Sequence, residues 1–420
     1  MALSIVLPAI NIAKDAFSVS SLALAFVFVR SGGLFASAVV LVLAVTSWAG
    51  AVLLDTTSAR KGLARAPSFS HAVERVFGSR AKTATDLLIV AVDTAASVAM
   101  LIAAGESLQE SARRHGTPDW LASFTYAEWV VAAGALVLII CLLLPDGDML
   151  KYPSALGSVC FVALVAVVAV IGAQGLFDHS RKADTRDDPR SDLGPSSFES
   201  AILAPGIVKF CFAGIESWPS LATPLGARYQ RTLALAIGIM FVFTMAMGIE
   251  GFLFLGPNVS DNILLELPHS ALGSIACAVT ALMLVMTTPI LLFAAFEILE
   301  TRWAMRDVQR ATAMQAPLLV NEKGDGMPVD AADAPSPVAA SRLAVSLIRT
   351  AVVTVAVVPA AVYPDLAKAV SVTGAVGDGL LGLVIPGAMA LASRQHMPLG
   401  AVLILVGVAC MVCGLVVPFL

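Results

Sequence analysis

Eleven long apolar blocks, separated by polar connections, limit what this chain can fold into more than any other feature. They cover approximately residues 3–28, 34–54, 85–104, 128–145, 155–176, 201–222, 232–255, 271–298, 343–363, 367–392 and 399–419. A helix that crosses the hydrocarbon core of a bilayer needs about 20 mostly apolar residues, within a range of roughly 17–25. Backbone at that depth must satisfy its own N–H and C=O groups, so each block is expected to be helical. The expected fold class is an all-α polytopic membrane protein with about eleven transmembrane helices. Composition agrees: 13% of residues are charged, against about 25% in a soluble globular chain.

Lysine and arginine in the connections set the orientation. With the N-terminus inside, fifteen of these residues fall on the cytosolic side and eight on the other. The bias is clearest between the second and third blocks, where Arg60, Lys61, Arg65, Arg75, Arg80 and Lys82 face one acid, Glu74. The expected topology is multi-pass, with the N-terminus cytosolic and the C-terminus opposite. No basic n-region or cleavage site precedes a polar mature start, which argues against a cleaved signal peptide.

Two connections are long. Residues 177–200 are polar and acidic and are expected as an outer loop; residues 301–342, whose part 321–340 is poor in aromatics and rich in Asp, Pro and Ala, are expected as a flexible cytosolic linker. Residues 69–82 have the pattern of an amphipathic helix on the inner surface, with Phe69, Val73, Val76 and Phe77 toward lipid.

Several function classes are excluded by what the chain contains. A net charge of −4 offers no basic footprint for nucleic acid. All six cysteines lie in apolar blocks, which excludes a disulfide framework, and the Cys410/Cys413 spacing has no second pair to complete a metal site. All five histidines lie in connections, so the blocks lack the histidine that membrane hydrolases and acyltransferases use, and no enzyme is expected.

Gly248 to Pro268 is the most distinctive local stretch: glycines close one block, an Asp261-Asn262 turn follows, and Leu267-Pro268 leads into the next. It resembles the end of the seventh helix and the following loop of the amino acid/auxin permease family, "GY-x-x-F-G" then "D-N-I-x-x-N-L-P". Other pieces match that family in order. Ser70 to Gly78 follows the second helix, and Leu101 to Glu106 closes the third. Phe210-Cys211-Phe212-Ala213-Gly214 lies in the sixth, Pro289 to Glu300 in the eighth, and Pro359 and Gly374 to Pro386 in the ninth and tenth. The branch most similar is that of the sodium-coupled neutral amino acid transporters.

The resemblance implies a single transporter domain over 1–420, built as a five-plus-five inverted repeat with one additional helix. It implies a substrate, a neutral amino acid, held at the midplane where the first and sixth helices break. It implies cation coupling, by sodium or a transferred proton, with no cofactor. The location implied is the plasma membrane or a vacuolar or lysosomal membrane, with the lipid bilayer as the other partner; oligomeric state is left open. The first helix departs from the family's "N-A-x-x-G-x-G-x-L-x-L-P": Val19, Ser21 and Phe26 replace both glycines and the proline. Val19 is the poorest substitute, because a β-branched residue resists positive φ. Ser18, Ser20 and Ser21 can compensate by hydrogen bonding. These departures motivate the alternative of a degenerate, non-transporting member acting as a nutrient sensor or interaction protein.

Asp15 stands where the sodium-coupled branch carries a cation-site asparagine; it binds a cation or pairs with Lys14 at the interface. Asp93 lies in the middle of the third block, where a carboxylate costs about 2.5–3.5 kcal/mol on insertion scales. It is a proton relay or an ammonium contact, or else a structural partner of Lys209. Phe212, Gly214 and Glu216 lie at the expected break of the sixth helix. Thr287 and Thr288 precede Pro289, which frees a carbonyl, and their hydroxyls suit sodium or bond back to their own helix. Glu250 and Asp378 are further intramembrane acids without an assigned role.

Overall fold

The computed structural model describes residues 5–6, 8–10, 12–13, 19–58, 66–114, 118–143, 155–157, 159–160, 163, 170, 194–214, 225–254, 259–267, 270–319 and 342–419. These residues form helices and their connections, with no strand among them. The main helices are α1 (Ser20–Ser31), α2 (Gly33–Ser58), α3 (Phe69–Phe77), α4 (Ser79–Arg113), α5 (Tyr126–Leu143), α6 (Phe198–Phe210), α7 (Tyr229–Phe254), α8 (Ala271–Leu319), α9 (Arg342–Val362), α10 (Leu366–Ala392) and α11 (Met397–Val416).

Eight of these are long and apolar enough to cross a membrane, and they coincide with the second to fourth and seventh to eleventh apolar blocks. The fifth block falls almost wholly outside the described residues. α1 and α6 have 12 and 13 residues. At 1.5 Å rise each covers about 20 Å, too little to span alone. α6 lies in the sixth block and α1 in the first, where residues 5–6, 8–10 and 12–13 are helical as well.

Packing reveals the repeat. α1 packs on α6, α2 on α7, α4 on α8 and α5 on α9, so each of the four described spans of the first half meets its counterpart five spans later. That pairing is what two interlocked five-helix halves produce, with α11 as the additional helix against α10. The α4–α8 pair is the most extensive contact and forms the spine of the bundle. Apolar residues on the outer faces, such as Leu405 and Val355, remain exposed for lipid.

Three helical features differ from the expectation. Residues 69–82 are not one helix: α3 ends at Gly78, φ +86, and α4 starts at Ser79. Phe69 and Val73 are buried against the protein rather than turned to lipid, whereas Phe77 is exposed. Amphipathicity marks an apolar face without saying whether lipid or protein covers it. α8 continues through Leu319, taking up residues 301–319 of the connection expected between the eighth and ninth spans. α10 is interrupted by π-helix at Thr373–Asp378 and Leu380–Val384.

The distinctive loop after α7 is tied down by charge and backbone. Arg114, almost fully buried, pairs with Glu110 at 2.9 Å and donates to the carbonyls of Leu264 and Leu267 at 3.1 and 3.3 Å. Asn262 donates to Glu106 at 2.9 Å, and Asp261 accepts from the N–H of Ala367 at the start of α10. The Asp-Asn pair thus stitches the loop to α4 and α10. Arg114→Ala removes both loop contacts and an ion-pair partner of Glu110. We expect a loss of about 3 kcal/mol, measured as a lower Tm and earlier proteolysis within 259–267.

Burial pushes the Asp261 carboxyl up; the Ala367 N–H opposes this and the Asp365 charge adds to it. The folded protein therefore keeps this proton to a higher pH than the unfolded chain does. Such a group stabilises fully below its unfolded pKa of about 3.9 and loses that contribution as pH rises through the raised folded value. The expected result is a Tm that falls with rising pH above about 4, and a shallower fall in Asp261→Asn, whose amide oxygen still accepts from Ala367. Equal slopes in the two proteins would overturn this assignment.

Candidate functional site

The sixth apolar block breaks for local reasons. Ser197 and Ser200 form a reciprocal cap that starts α6. At its other end the ladder tightens: Cys211, Phe212 and Ala213 donate to Val208, Lys209 and Phe210, three residues back, at 3.0–3.1 Å. Gly214 then takes φ +86, a conformation open to glycine and strained for a side chain. The described chain stops there and resumes at Leu225.

A cavity of about 640 Å³ leads to this break between α3, α4 and α8. Its mouth is polar. Arg302 of α8 donates to Asp86 of α4 at 2.9 Å. Lys82 lies 3.0 Å from His71 Nε2 and 3.5 Å from Glu74. An ammonium only donates, so Nε2 accepts and Nδ1 carries the proton that His71 gives to Ser68 Oγ at 2.7 Å. Further in, Ala96, Met100, Ile290 and Leu291 make an apolar wall. The deep end joins Asp93 of α4, Asp378 of α10, Thr287 of α8 and Gly214. Both acids are 2% exposed.

The structure thus brings three of the sequence-selected residues, Asp93, Gly214 and Thr287, to one surface. Phe212, Thr288, Ser20 and Ser21 are buried without lining the cavity. Ser20 faces the Cys211 thiol. Thr287 and Thr288 donate to the carbonyls of Met283 and Leu284 at 2.8 and 2.7 Å, and Thr288 also meets the Met100 sulfur. Ser18, Asp15 and Glu216 lie outside the described residues.

Asp378 is the residue that sequence reasoning left without a role. The available signal was a carboxylate between Gly377 and Gly379 inside an apolar block. The mouth residues come from separate parts of the chain, His71, Glu74, Lys82 and Asp86 from one region and Arg302 from another, so only the folded geometry unites them. Among the described residues no group of three or more His, Cys, Asp or Glu side chains could hold a metal ion.

An apolar passage that ends on two buried acids and a broken helix suits a small zwitterion rather than a covalent reaction. Comparison with known proteins agrees. No curated protein sequence matches the chain. Among solved structures it is similar to MhsT, in the crystal structure of that protein in complex with L-phenylalanine, at 15% identity and a TM-score of 0.54, covering 100% of this chain and 98% of that one. The likeness shows a shared fold. Residues 2–420 match the family described as transmembrane amino acid transporter protein, and the chain therefore belongs to that family.

Proposed function

We propose that this chain carries a neutral amino acid across a membrane by alternating access, coupled to a proton or another cation. The observation that supports this most is the cavity: it is open at the Lys82–Arg302 end, is apolar along its length, and terminates at Asp93, Asp378 and the α6 break. The positive-inside pattern assigns the open end to the cytosol, so the structure is read as an inward-open state.

In this reading Asp93 receives the substrate ammonium. The substrate carboxylate is met by backbone N–H groups, the way helix ends within a membrane hold anions. α1 starts at Ser20 with no side chain capping it, and it packs against α6. The apolar wall suits an uncharged side chain.

The lost glycines of the first helix speak for a non-transporting sensor only if they impose strain. Val19 has φ −95 and ψ −32, which any residue adopts, and Ser21 lies within helix. The transport reading is therefore preferred. The test is uptake of labelled amino acids into reconstituted vesicles under proton or sodium gradients. Uptake of a neutral amino acid under one of them is expected; no flux of any amino acid under either would sink the proposal.

A further inference from the structure

We infer that the Lys209 ammonium is a resident cation at the centre of the bundle, and that it does the work a bound sodium ion would do, so that transport by this chain is independent of sodium. The inference rests on the transport reading above and deepens it.

Lys209 sits in the last turn of α6 and is 0% exposed. A buried ammonium must be given oxygen ligands or opposing charge. One ligand is the Phe212 carbonyl at 3.2 Å, part of the turn that leads to Gly214. That turn is the C-terminal, negatively polarised end of α6, a place that favours a cation. The lysine reaches it from within the same helix.

The surroundings complete the environment. α10 packs on this turn: Gly374 meets the backbone of Phe210, and Gly377 meets Val92, the neighbour of Asp93. Asp93 and Asp378 line the cavity beside Phe210, the residue next to Lys209. α11 packs on α6 as well. Freed carbonyl oxygens and the C-terminal end of a broken helix are the features that would hold a metal cation in such a fold. Here a covalently attached cation already takes the Phe212 carbonyl at that break.

The hydroxyls that the sequence offered to sodium, on Thr287 and Thr288, are turned to the carbonyls of their own helix. Two carboxylates and one ammonium leave one negative charge. The substrate ammonium faces that charge, while the substrate carboxylate lies toward backbone N–H groups.

The test uses the full chain. Initial uptake of a labelled neutral amino acid is measured in proteoliposomes with sodium or with N-methylglucamine as the external cation, and Tm of the purified protein is measured with sodium or choline chloride. We expect wild-type uptake and Tm to be the same in both salts. Lys209→Met, neutral and similar in length, should lose uptake in N-methylglucamine and become sodium-dependent by on the order of ten-fold, with a Tm that rises in sodium. Wild-type uptake that needs sodium would overturn the resident cation and leave the transport reading intact. Absence of uptake in any medium would overturn the transport reading, and the Tm comparison then decides the inference alone: a wild-type Tm that rises with sodium sinks it, even if Lys209→Met does not fold.

Discussion

Asp93→Asn is expected to abolish uptake and to leave the protein as stable as before. The side chain keeps its size and loses its charge. If Asp93 holds the substrate ammonium or the coupling proton, removing the charge costs the charge-assisted contact, about 3 kcal/mol or on the order of 100-fold in rate. The folded protein loses nothing comparable, because a neutral amide at the bilayer centre avoids the desolvation of a carboxylate. The other role for this residue, a structural partner for Lys209, has a different signature. Breaking a buried ion pair leaves one charge uncompensated and costs about 3–5 kcal/mol of stability. Uptake and Tm measured on the same preparation separate the two: lost flux with an unchanged Tm supports the substrate role, whereas a Tm that collapses together with flux assigns the residue to the scaffold.

Gly374→Ala should produce one of the largest losses of stability of any single methyl group added to the bundle. A Cβ at Gly374 would overlap the carbonyl oxygen of Gly206 and lie 2.7 Å from the Phe210 nitrogen and 2.8 Å from its Cβ. The obstacles are mostly backbone, so no rotamer change relieves them and α10 must withdraw from α6. Small residues are what allow such backbone approach between membrane helices. Overpacking costs about 1–3 kcal/mol where side chains can adjust, so a clash with backbone belongs at or above the upper end. At roughly 2–4 °C per kcal/mol, Tm should drop by on the order of 10 °C, and uptake should fall because Phe210 and Lys209 move with α6. Gly238→Ala on α7 is the control. Nothing lies within 4 Å of its added Cβ, and helix propensity makes it stabilising by about 0.5–1 kcal/mol. Equal thermal shifts for the two substitutions would refute the packing argument.

Hydropathy located the spans well, because lipid selects for long apolar runs whatever the tertiary packing. It misjudged their ends. α4 has 35 residues and α8 has 49, since the parts beyond the membrane are polar and leave no apolar trace. It also misjudged continuity. The block at 201–222 reads as one helix by composition, yet α6 stops at Phe210. The break became legible only through the resemblance around Gly214. Asp93 stood out because a lone acid in an apolar run is costly. Asp378 carried the same signal and was passed over among glycines. Burial of Phe69 against the protein, the π turns of α10 and the histidine–lysine contact at the mouth depend on neighbours distant in sequence, and no local pattern encodes them.

The π turns of α10 have a consequence for motion. A π turn holds one residue more than an α turn over the same length, so the helix carries slack within an unbroken ladder of hydrogen bonds. If that extra residue migrates by one position, the side chains it passes rotate by about 100° around the helix axis. Asp378 closes the first of the two π segments. Its carboxylate can therefore change the wall it faces while α10 stays whole. Hydrogen–deuterium exchange would show this as correlated opening of 373–384, distinct from fraying at the helix ends.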